Sequence, residues 1–146
     1  MRTKGSYNRL ALVSTPWPLY NRPSIQLGAL AAYLKACYPD LRVRAYHLYL
    51  EVAAQLGYRV YGEVCQRMWL AESVYAALLN PERLPNIRRF FRKRATAKSP
   101  RPEIAFTPLV QAVRRTTEEF VARIPWGRFN LVWPHLTAAA TGARMR

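Results

Sequence analysis

The chain has 146 residues, 51% of them hydrophobic, which is enough apolar material for the core of one ordinary domain. No apolar stretch approaches the roughly 18 to 20 residues that span a bilayer, and no long apolar run follows the basic start at Met1 to Arg9, so the expectation is a soluble cytoplasmic protein without membrane association. Lys and Arg number 23 against 8 Asp and Glu, a formal charge of +15, an imbalance that favours nucleic acid, anionic lipid or an acidic partner. About half of it is local. Arg88, Arg89, Arg92, Lys93, Arg94, Lys98 and Arg101 form a run with no acidic residue inside it. Cys37 and Cys65 are far apart and lie within amphipathic patterns, the setting of reduced thiols in a core.

In chain order, Leu10-Ala11-Leu12-Val13 is apolar without alternation, the pattern of a central parallel strand covered on both faces. The loop that follows holds Ser14-Thr15-Pro16-Trp17-Pro18. Leu27, Leu30, Ala31 and Leu34 then recur at helical spacing, with Ser24 as N-cap and Pro39 as stop. Leu41, Val43 and Ala45 alternate with Arg42, Arg44 and Tyr46, which predicts an edge strand and completes a βαβ unit. From Glu51 to Asn80 the apolar spacing predicts two helices or one broken helix, weakened at Gly57 and Gly62. Pro81 to Pro102 reads as a loop or a basic connecting helix. Thr107 and Pro108 read as N-cap and first residue of a helix that runs to Pro125. Phe129 to Trp133 is a third short strand, and 136–146 an unstructured tail. The fold class is therefore α/β, a partial Rossmann-like (doubly wound) parallel sheet of about three strands with flanking helices, over 8–135. It stops halfway, leaving an unpaired edge where later strands would add.

Familiar catalytic signatures are absent. None of the six glycines forms a G-x-G, so no dinucleotide fingerprint or P-loop is present. Cys37, His47, Cys65 and His135 lack the close pairing of a zinc site, and no nucleophile elbow supports a serine hydrolase. A geometric rule remains: in open α/β sheets ligands bind beyond the carboxyl ends of the strands, where strand order reverses. With the first strand central, Thr15 to Gly28 and Trp133 to His135 border that crevice. Prolines 16, 18 and 23 stiffen the first loop, Trp17 and Tyr20 offer flat apolar surfaces, and the helix start near Ser24 and Gln26 can take an anionic or carbonyl group. Such a wall suits a broad, largely apolar ligand. The competing expectation is that these aromatics plug the top of a core.

Thr15-Pro16-Trp17-Pro18, followed by Arg22-Pro23-Ser24-Ile25-Gln26-Leu27-Gly28-Ala29-Leu30, resembles the opening of B12-binding radical SAM enzymes, where an aliphatic strand precedes Pro, then Pro-Ser, then Leu-Gly and Leu. Tyr46 to Leu50, Gly57-Tyr58, Tyr61, Trp69-Leu70 and Ala76 to Leu79 are similar to a subgroup that modifies ribosomally made peptides, mostly as C-methyltransferases. The resemblance covers roughly 8–133. It implies an N-terminal domain for cobalamin, with Thr15, Pro16, Trp17, Ser24, Gln26, Leu27 and Gly28 as one wall of the site. The family's following barrel carries a Cys-x3-Cys-x2-Cys iron-sulfur motif that cleaves S-adenosylmethionine. That motif is absent here, and two distant cysteines cannot supply it. No catalysis is expected from this chain alone.

Relatives continue the third strand with an aliphatic residue and Gly, whereas Phe129 to Val132 runs into Trp133-Pro134-His135. The expectation is a truncated product whose partners are the missing radical SAM portion or a peptide substrate. The loop also lacks the His of the Asp-x-His-x-x-Gly motif that ligates cobalt in many cobalamin domains. His47 is expected as a half-buried strand residue, and His135 as no ligand. The alternative function is a small basic adaptor that binds nucleic acid or an acidic partner through 88–101; a solvated connection is favoured there, because Phe90 and Phe91 are the run's only interleaved aromatics. A third reading is a stand-alone cobalamin carrier whose sheet another chain completes.

Overall fold

The structure is a computed structural model, and it describes residues 8–22, 24–67, 69–95 and 104–135. The expected tail at 136–146 and residues 96–103 of the basic segment lie outside the described residues. Three parallel strands, β1 (Arg9–Ser14), β2 (Arg42–His47) and β3 (Leu131–His135), form one sheet in the order β2-β1-β3. Among the described residues six α-helices flank it: α1 (Ile25–Cys37), α2 (Leu48–Leu56), α3 (Tyr58–Gln66), α4 (Leu70–Leu79), α5 (Leu84–Ala95) and α6 (Phe106–Arg123). The partial Rossmann-like arrangement expected from the sequence is the one observed.

The two faces of β1 are separated by its period of two. Leu10 and Leu12 pack with Leu27, Leu30, Ala31 and Leu34 beneath α1, while Val13 joins the larger cluster formed by α2 to α6. This double coverage is why the run does not alternate. Ser24 caps α1 as expected, its Oγ accepting from the Leu27 N–H at 3.3 Å. On β2, Val43 packs under α1 and Tyr46 on the opposite cluster, but Ala45 stays exposed although the alternation placed it with Val43.

Three expectations need correction. The segment from Glu51 to Asn80 holds three helices instead of two or one broken helix, the first already starting at Leu48. Gly57, at φ +80°, separates α2 from α3; α3 ends where Arg67 turns extended, and Trp69, at φ 73°, precedes α4. The last long helix begins at Phe106, with Ala105 as N-cap, so Thr107 and Pro108 lie inside its first turn. That turn has no intrahelical partner for its N–H groups, so proline is tolerated there. Cys37 is exposed at the end of α1, and only Cys65 is half-buried against the core.

The basic segment begins as helix α5, seated by the fully buried Phe91, whose ring lies 4.8 Å from that of Phe106. On β3, Leu131 and Trp133 are in register with Leu10 and Leu12 and so share the α1 face, yet they are 56% and 55% exposed because α1 does not cover them. Pro134 has no N–H to give and is tolerated at a sheet edge. No helix among the described residues is long and apolar enough to cross a membrane.

Candidate functional site

Strand order reverses at β1, so the site is sought at its carboxyl end. Ser14, the last residue of β1, is 0% exposed, and its Oγ has no hydrogen-bond partner. The parallel register places it between His47 and His135, so these three residues end the three strands in one row. The Nδ1 of His47 is likewise buried without a partner, its ring edge-on to Tyr49 at 5.7 Å. A buried hydroxyl left unpaired costs about 1–3 kcal/mol; Trp17 Nε1 and the Tyr46 hydroxyl, in the large cluster, are buried without a partner too. Ser14 shares a face with Leu10 and Leu12, which contact Leu27 in the first turn of α1. The unpaired Oγ therefore lies on the side of the sheet where α1 begins.

The loop after Ser14 turns the other way. Trp17 adopts φ 85°, a conformation that costs a non-glycine residue about 1–2 kcal/mol. Its ring stacks on Tyr61 at 5.2 Å and 26°, and its backbone N–H donates to the Tyr61 hydroxyl at 2.7 Å. That hydroxyl in turn donates to the Pro18 carbonyl at 2.9 Å, and Tyr75 donates to the Pro16 carbonyl at 2.9 Å. Two tyrosines on successive helices thus hold the strained loop against α3 and α4. Burial pushes the Tyr61 phenol far up, with the nearby Cys65 adding to the shift. Burial likewise raises Tyr75 to about 12 and the Cys65 thiol to about 11. All three stay neutral around pH 7. Cys65, whose Sγ lies 3.9 Å from the Pro18 carbonyl oxygen, is therefore a weak nucleophile in this setting.

The sequence-derived residues divide between two places. Pro16 and Trp17 are buried, Trp17 in the large cluster, and Thr15 is half-buried beside Tyr75, to which its side chain is hydrogen-bonded. Leu27, 2% exposed, belongs to the small cluster across the sheet. Ser24 spends its Oγ on capping, with Gln26 Oε1 at 3.5 Å. Gln26 and Gly28 are exposed, and the space around Gly28 is open. The wall is thus not one surface: Trp17 serves the core, whereas Ser24, Gln26 and Gly28 lie at the start of α1. A cleft of about 380 Å³ opens farther along the loop between Leu19 to Arg22 and α3, where Tyr20 meets Tyr58 at 4.8 Å and Gly62 leaves room. Its size is that of a small-molecule pocket.

Ser14 and His47 were not singled out as binding residues by the sequence. The signal for Ser14 was present, as a hydroxyl closing an otherwise apolar central strand. His47 gave none, because its pairing with Ser14 is a matter of register. Among the described residues no group of three or more His, Cys, Asp or Glu is placed to hold a metal ion. Comparison with protein-family models, with curated proteins and with solved structures finds no match.

Proposed function

We propose that this chain is a cobalamin-binding-type α/β domain of the kind that accompanies radical SAM peptide C-methyltransferases, with the radical step carried by a further polypeptide segment. The observation that carries the reading is the pair of buried, unpartnered polar atoms, Ser14 Oγ and His47 Nδ1, side by side at the switch point of a parallel sheet. Buried groups of this kind call for a polar partner. The corrin of cobalamin is edged with amides that both donate and accept, so a hydroxyl and a ring nitrogen are suitable partners for it. Ser24, Gln26 and Gly28 stand at the start of α1, the helix that covers the same side of the sheet. When bound, cobalamin would carry the methyl group. The chain's own residues bind and orient it, and the loop after β1 offers no His to ligate its metal.

The basic-adaptor reading has less behind it. Within α5, Arg88 donates to the Thr107 hydroxyl at 3.0 Å and Arg94 lies over the Phe90 ring at 5.3 Å. Part of the run is therefore engaged in local contacts.

The test is hydrogen exchange with and without hydroxocobalamin. Protection confined to 14–28 and 46–49 supports the reading. Unchanged exchange there, or protection only on α5, overturns it.

A further inference from the structure

At the opposite, amino end of the sheet, Arg9 of β1 stands directly across the parallel ladder from Arg42 of β2, and Arg44 follows two residues later. By the period of two these three side chains share the α6 face. Adjacent strands lie about 4.8 Å apart, and alternate residues are roughly 6.6 Å apart along a strand. Three guanidinium groups therefore leave the backbone within one small patch. A fourth, Arg128, comes from the 3₁₀ turn Trp126–Arg128 that follows α6. Together with Pro125 and Phe129 these arginines line a cavity of about 250 Å³.

No carboxylate lines this cavity. Ion pairs elsewhere in the fold engage Arg67, Arg83, Arg115 and Arg123. Arg44 rests over the Tyr46 ring at 5.2 Å. Like charges directly opposite one another in a sheet are destabilising, so the Arg9–Arg42 pair is a cost that folding does not require. An anion in the cavity removes that cost. Guanidinium forks match phosphate oxygens two at a time, and Phe129 and Pro125 give the cavity a flat apolar side next to the charge.

We propose that Arg9, Arg42, Arg44 and Arg128 form a binding site for the phosphate of a nucleotide, free or within a nucleic-acid strand. The site is independent of the cobalamin reading, since it lies at the other end of the sheet and uses none of the same residues.

The test compares the unaltered protein with Arg42→Gln/Arg128→Gln and with a charge-matched control on α5, Arg89→Gln/Lys93→Gln, each checked for folding by circular dichroism. Binding of pyrophosphate, adenosine diphosphate and a short single-stranded oligonucleotide is measured by calorimetry at fixed salt. The expected result is a loss of about tenfold or more in the cavity variant and less than about twofold in the control, since losing charge-assisted hydrogen bonds outweighs losing remote charge. Loss for the two small ligands identifies a free nucleotide, and loss for the oligonucleotide alone identifies a strand; both support the site. Equal losses in the two variants, no loss in either, or no binding of any probe by the unaltered protein would overturn it.

Discussion

Replacing Tyr61 with phenylalanine deletes one oxygen and should loosen the whole β1–α1 loop. The hydroxyl accepts from the Trp17 N–H at 2.7 Å and donates to the Pro18 carbonyl at 2.9 Å. Tyr61 is 0% exposed, so water does not readily replace the lost contacts. Each buried group left unpaired costs about 1–3 kcal/mol, so the two together put Tyr61→Phe at about 2–6 kcal/mol. The stacking with Trp17 survives, because the ring is retained. The assay is urea unfolding followed by tryptophan fluorescence, with Tyr75→Phe as a comparison that touches Pro16 instead. A loss below about 0.5 kcal/mol would refute the argument that this hydroxyl holds the left-handed Trp17 in place.

Ser14→Ala removes a buried hydroxyl that has no partner and should raise stability by about 1 kcal/mol; a loss of more than 1 kcal/mol in urea unfolding would show that the hydroxyl is used within the fold. Phe91→Ala empties the seat of α5 against Phe106 and should cost about 3–5 kcal/mol, measured in the same way, whereas a change under 1 kcal/mol would mean that α5 is not anchored there. The raised pKa values set an alkaline limit. Cys65 and Tyr75 are neutral-acid groups held above their ordinary values of 9.0 and 10.0, at about 11 and about 12. Their contribution is complete below about pH 9 and is lost as pH rises through 9 to 12. Denaturation midpoints should be flat from pH 7 to 9 and fall above it, and a midpoint that rises over that upper range would contradict the sign. In the native protein Cys37 should react with a thiol reagent well before Cys65, and equal rates would show that Cys65 is not shielded by the loop.

What the sequence made legible was governed by local rules. The unalternating run Leu10 to Val13 reads as a central strand because both faces are covered, and Ser24 reads as a cap because its side chain reaches the Leu27 N–H. The extra helix break carries no glycine or proline to mark it: α3 ends where Arg67 turns extended, and Trp69, just before α4, takes a left-handed conformation normally left to glycine or asparagine. For Trp17 the sequence left two expectations, a crevice wall and a plug of the core, and the structure gives the second; the choice rests on its partner Tyr61, 44 residues away. The row Ser14–His47 and the pair Arg9–Arg42 likewise arise only when β2 is laid beside β1 in one register. A shift of one residue would have dispersed both.

Cobalamin binding is decided by adding hydroxocobalamin to the purified chain and following visible absorbance through gel filtration. About one cobalamin should be retained per folded chain, with retention reduced in Ser14→Ala and His47→Ala. A folded, monodisperse sample that elutes without cobalamin would contradict it.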